Sequence, residues 1–96
     1  MLTYKTVNDW RRSLGSSLQG YLPKPTTFEE LAGMLGEPLP AGDKTLAEWV
    51  VRFGDGTVAT VYDYKNRGMR REALVSWHVG GFGPRAAELM AEALED

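Results

Sequence analysis

Apolar and polar residues alternate along several stretches of this chain, and each alternation reads as a strand with one buried face. Residues 2–7 (LTYKTV) form the first. In residues 47–53, Ala47, Trp49, Val51 and Phe53 share one face, and Glu48, Val50 and Arg52 share the other. In residues 58–64, Val58, Thr60, Tyr62 and Tyr64 alternate against Ala59, Val61 and Asp63. Gly54-Asp55-Gly56 separates these two runs, and turn glycines beside Asp between β-rich segments predict a hairpin. A further run, residues 74–79, sets Leu74, Ser76 and His78 opposite Val75, Trp77 and Val79; the Val75 face is assigned to the core. Residues 47–81 thus predict a three-stranded antiparallel meander.

The period changes in two places. Thr27 and Glu30 have the spacing of a capping box, and Phe28, Leu31, Ala32 and Leu35 recur on one helical face. Gly36 suits the helix end, and Pro38 prevents continuation. Near the C-terminus, Pro84 suits a first helical turn, and Ala86, Leu89, Met90, Ala93 and Leu94 make an amphipathic helix. Residues 8–15 fit either a helical turn or an irregular basic loop. Residues 15–22 (GSSLQGYL) admit two readings. One is a glycine-rich loop whose N–H groups, with Ser16, Ser17 and Gln19, could cradle a phosphate. The other is a bulged edge strand hinged at Gly15 and Gly20. The expected whole is one domain over residues 1–96, of α+β class. It is a small antiparallel sheet (three-stranded meander plus an N-terminal strand) packed against two helices on the Trp77 face.

Composition narrows the chemistry more than the fold. The chain has 96 residues, 43% hydrophobic and 25% charged, enough for a modest unstapled core. With no cysteine, disulfides and thiolate metal sites are excluded, and a single histidine rules out a multi-histidine metal site within one chain. The formal charge of −2 argues against tight nucleic-acid binding. No segment has the length or apolarity of a membrane span or a signal peptide, so the expected compartment is the cytosol.

Among candidate chemical groups, His78 could act as a general base or touch a ligand; its plainer reading is a hydrogen-bonded surface histidine. No Ser-His-Asp or Cys-His arrangement can be assigned, and Asp55, Glu48 and Asp63 read as turn and strand residues. The basic loop at residues 65–72 (Lys65, Arg67, Arg70, Arg71) could hold an anion or form a solvated hairpin tip. Most aromatics are needed for the core. Tyr21 and Tyr64 are the two free to stack on a planar base or cover the sheet.

GSSLQGYL, TFEELAGMLGEP, AEWVVRFGDGTVATVYDYK and WHVGG, in that order over residues 15–81, resemble a family of short bacteriophage accessory proteins. Its pattern runs GTSLQGY, a Tyr-containing helix ending in GEP, EW…F.DG.VATIYDYK, and WHIGG. Ser16 stands where that pattern has Thr, and Phe28 where it has Tyr. The basic stretch before Trp77 is longer than a tight hairpin needs. The resemblance implies a counter-defence protein of the host cytoplasm; one His and no clustered Asp, Glu or Cys lead to the expectation that it is non-enzymatic and needs no cofactor. It would be a sponge for a small anionic nucleotide-like ligand, bound between two copies in a homodimer. In that reading Ser16, Ser17 and Gln19 donate hydrogen bonds, Gly80 and Gly81 N–H groups face phosphate, Tyr21 or Trp77 stacks, Lys65 neutralises charge and His78 lies alongside. The alternative is a protein–protein inhibitor or assembly module acting on a host protein.

Overall fold

The computed structural model describes residues 2–42, 44–66 and 68–95, so Arg67 of the basic loop lies outside the described residues. Five strands, β1 (Tyr4–Thr6), β2 (Ser17–Tyr21), β3 (Glu48–Phe53), β4 (Val58–Tyr62) and β5 (His78–Gly81), form one sheet. Their order is β1-β3-β4-β5-β2, with every neighbouring pair antiparallel. Helices α1 (Phe28–Leu35) and α2 (Arg85–Glu95) cover one face, making the α+β domain that the hydrophobic pattern predicts.

The meander is present as β3-β4-β5, and the segment 15–22 is the fifth strand rather than a loop. β2 pairs with β5, and its register slips between Leu18 and Gly20, leaving Gln19 as a bulge. Between β1 at one edge and β2 at the other, residues 7–16 must cross the sheet. They do so on the face away from the helices, through a 3-10 turn at Trp10–Ser13 that packs on β3 and β4. Val50 and Thr60 are buried on that face. Asn8 makes the corner at φ 41, a conformation Asn tolerates better than most residues. Its Oδ1 accepts from the Val50 N–H at 3.0 Å, and its Nδ2 donates to the Glu37 carbonyl at 2.6 Å.

Helix α1 starts as its sequence dictates. Thr27 Oγ1 accepts from the Glu30 N–H and the Glu30 carboxylate accepts from the Thr27 N–H, both at 3.0 Å. It ends at Gly36, whose φ of 84 suits only glycine without strain. The core beneath is built on Trp49 and Trp77, both almost fully buried, with ring centroids 5.5 Å apart. Trp49 Nε1 donates to the Gly36 carbonyl at 2.8 Å, and Trp77 Nε1 to the Thr26 carbonyl at 2.6 Å. The two indoles therefore hold the two ends of α1. Asp63 is also fully buried; its carboxylate accepts from the N–H groups of Leu46 and Ala47 at 2.7 and 2.9 Å and from Asn66 Nδ2 at 3.2 Å.

The third run departs from expectation at its start. Strand β5 begins at His78, not residue 74, and Val75 is 44% exposed while Leu74 is buried. The chain at residues 74–77 has not yet joined the sheet, so strand parity does not govern it. Trp77 and Val79 are buried as assigned.

Helix α2 lies close on β5 because Gly81 lacks a side chain. A β-carbon there would sit 2.5 Å from Ala86 Cβ and 3.1 Å from the Val58 carbonyl oxygen. Neither neighbour is a flexible side-chain tip, so Gly81→Ala should cost about 1–3 kcal/mol, read as a lower urea midpoint. At the hairpin, Arg85 Nε donates to Asp55 Oδ2 at 2.7 Å, and this bond, with the Thr57 N–H, holds the Asp55 carboxyl down at about 2. A carboxyl lowered on folding adds stability above its ordinary range near 3.8 and loses it as pH falls through the folded value. NMR titration should put the Asp55 midpoint close to 2, and Arg85→Ala should return it toward 3.8.

Candidate functional site

Cross-strand register assembles an aromatic row on the face away from the helices. Glu48 pairs with Tyr62, Tyr62 with His78, and His78 with Tyr21, so one row crosses β3, β4, β5 and β2. The His78 imidazole lies edge-on to Tyr21 at 4.9 Å and to Tyr62 at 5.3 Å, with Tyr64 tilted beside it at 5.8 Å. Tyr21 is 61% exposed and Tyr64 40%, so both present usable ring surface. Lys65 holds its Nζ 5.2 Å from the Tyr64 ring centroid, a cation–π contact at the rim. Burial first, then the Glu48 charge and the phenols of Tyr21 and Tyr64, push the Tyr62 hydroxyl above its ordinary range.

Two hollows open beside this row. One, of about 230 Å³, is lined by Tyr64, Asn66, Met69, Ser76 and His78, among others. The other, of about 310 Å³, lies between Tyr21, Lys24 and Trp77, and Val75 and Ser76 border both. Enclosed sites for drug-sized ligands run to about 300–1,000 Å³; one hollow falls below that range, the other only reaches its lower end, and both lie open to solvent rather than enclosing a ligand. A planar ring can lie against the aromatics, with any phosphate left toward Lys24 or Lys65.

The nine residues proposed from sequence divide between the two faces. Tyr21, His78 and Lys65 come together as expected. Ser17 and Gln19 approach the same strand, β5, but on its other face: Gln19 Nε2 donates to Ser17 Oγ at 3.1 Å and to the Gly81 carbonyl at 3.2 Å, beneath α2. Strand pairing brings the GSSLQGYL and WHVGG segments together, while the pleat points their side chains to opposite sides. Among the described residues, these side chains therefore do not line one polar hollow.

Gly80 and Gly81 lie in an interior strand with β4 and β2 on either side, so their amides face sheet partners rather than solvent. What Gly80 does require is the lack of a side chain, since a β-carbon would meet Thr60 Oγ1 at 2.5 Å. Trp77 is core, and only an edge of it borders a hollow. Ser16 closes the crossing segment, its N–H donating to the Ser13 carbonyl at 2.9 Å. Arg71 stacks 4.5 Å from the Phe28 ring centroid and so serves the packing of α1.

Sequence reasoning put Ser76 on the His78 face but did not bring Tyr62, Lys24 or Glu48 to this region. Alternation could have placed Tyr62 on the His78 face had the register been known. Nothing in the sequence placed Lys24 there. Among the described residues, no group of three or more His, Cys, Asp or Glu is arranged to hold a metal. Among those residues, too, no helix is long and apolar enough to cross a membrane. The chain matches no protein-family model, no curated protein and no solved structure.

Glu48 closes the row at β3. Burial, and then the nearby Asp63 carboxylate, push its pKa above the ordinary value of 4.5. The folded state thus disfavours its charge, a cost felt above the raised pKa and gone below the ordinary one. Glu48→Gln should raise the thermal midpoint at neutral pH, and the gain should vanish below about pH 4.

Proposed function

We propose that this protein is a non-enzymatic binder of a small, planar, anionic ligand of nucleotide type. The ligand would be held on the open sheet face by Tyr21, Tyr64 and His78 and neutralised by Lys65 and Lys24. The observation that carries the reading is the set of three tyrosine rings gathered within 5.8 Å of the one imidazole, with a lysine over the outermost ring. Aromatic faces accept any base, and imidazole can donate to phosphate or to a ring nitrogen. The ligand site proposed from sequence is thereby redrawn: Tyr21, His78 and Lys65 stay, and Tyr62, Tyr64, Ser76 and Lys24 join them.

The resemblance over residues 15–81 supplies the biological half of the proposal, a phage accessory protein sequestering a nucleotide signal in the host cytoplasm. The shallow hollows favour a homodimer in which a second open face covers the ligand.

A second reading, a module gripping a host protein, has its own support. Phe82, 58% exposed, lies near Gly15, next in sequence to the 62% exposed Leu14, and Leu18 is 47% exposed on the β2 edge. These apolar groups make a patch suited to a protein contact.

Calorimetry against nucleotides and cyclic nucleotide messengers tests the first reading. One of them should bind, and Tyr21→Ala should cost about 1–3 kcal/mol of affinity, the value of one stacking platform. No heat with any of them, at protein concentrations that would detect millimolar binding, sinks it.

A further inference from the structure

The net charge of −2 conceals a separation of sign between the two faces. Helices α1 and α2 carry Glu29, Glu30, Glu88, Glu92 and Glu95 against a single base, Arg85, which is tied to Asp55. The open face is the reverse. Lys5 and Arg52 stand directly opposite each other across β1 and β3, on the face of Val50 and away from the helices. The crossing turn adds Arg11 and Arg12, and Lys65 lies at the aromatic end. Against these stand Asp9, engaged by Arg11 at 3.1 Å, and the half-buried Glu48.

We infer that this face binds single-stranded nucleic acid, running from the Tyr21–His78 row across the Trp10 turn to Lys5 and Arg52. It goes beyond the small-ligand reading and shares with it only the Tyr21–His78 end. Three observations carry it. First, like charges opposed across a ladder repel, and among the described residues neither Lys5 nor Arg52 forms an ion pair. A polyanion would relieve that repulsion. Second, Trp10 is 60% exposed on a turn held in shape: Asp9 caps the Arg11 N–H at 3.1 Å, and Ser13 Oγ donates to the Trp10 carbonyl at 2.8 Å. A large exposed ring on a turn of fixed backbone, followed directly by Arg11 and Arg12, is a stacking platform. Third, the same face already carries exposed Tyr21 and Tyr64, so bases have more than one ring to meet.

Single strands fit better than duplex. Stacking on Trp10 and Tyr21 needs unpaired bases, and the helices that could enter a groove are the acidic side of the molecule. The five-stranded face is about 19 Å across at the usual strand spacing, room for about four nucleotides.

Fluorescence anisotropy with a labelled oligothymidine of about eight nucleotides tests the inference on the whole protein. Binding should be visible at about 25 mM salt and weaken with a log–log slope of about −2 to −3, the signature of three or four phosphate contacts on a single strand. Trp10→Ala should weaken it about five- to a hundredfold. Arg52→Glu should weaken it and flatten the salt slope by about one. Both residues are exposed, and unchanged circular dichroism verifies the fold of each variant. No binding at low salt, equal binding of an eight-base-pair duplex, or indifference to both substitutions overturns the inference. Thymidine monophosphate titrated in parallel separates the two readings. A bound oligomer with a silent mononucleotide supports the strand-binding face alone. A bound mononucleotide with a silent oligomer removes it and leaves the small-ligand site standing.

Discussion

Two buried indole N–H groups organise this domain. Trp49 and Trp77 fill the space between sheet and helix, and in that dry interior each ring nitrogen must find an acceptor or cost about 1–3 kcal/mol. The acceptors are the Thr26 and Gly36 carbonyls, one just before α1 and one at its end. A helix of two turns has little stability of its own. Pinned at both ends to rings that pack on each other, it has one place to lie. That choice commits the Trp49 and Trp77 face of the sheet to the core and leaves the His78 face to be crossed by the chain or exposed to ligand.

Much of this was written locally. The Thr27–Glu30 pair, Gly36 and Pro38 mark α1 residue by residue, because capping depends on neighbours within one turn. Gly54-Asp55-Gly56 marks the hairpin for the same reason, and the alternation at residues 47–53 identifies its buried face. What sequence could not show was long-range. The glycines around Ser17 and Gln19 suit a phosphate loop or a bulged edge strand equally, and only pairing with β5 decides for the strand. That pairing also sends Gln19 and His78 to opposite faces, so a site drawn from both segments came apart while Tyr21 and His78 met. Val75 failed differently: alternation was extended into a stretch with no strand partner.

The aromatic row shows how register creates a surface that composition hides. Glu48, Tyr62, His78 and Tyr21 are dispersed through the chain and adjacent in space because four strands align them. Charge behaves likewise. Summed over the chain it is nearly balanced, yet the two helices carry five acids against one base, while Lys5, Arg12, Arg52 and Lys65 gather on the open face. A ligand approaching this molecule meets a polar object with two unlike sides, and orientation would precede contact.

The bulge at Gln19 has one more effect. A sheet of this kind has two free margins, and the longer is β2, with five residues against the three of β1. Flat margins recruit copies of themselves end to end, the route to fibres. Gln19 folds its amide back onto Ser17 and the Gly81 carbonyl, twisting that margin out of line. The protein can thus keep an apolar, aromatic-lined surface available without templating its own aggregation along the neighbouring strand.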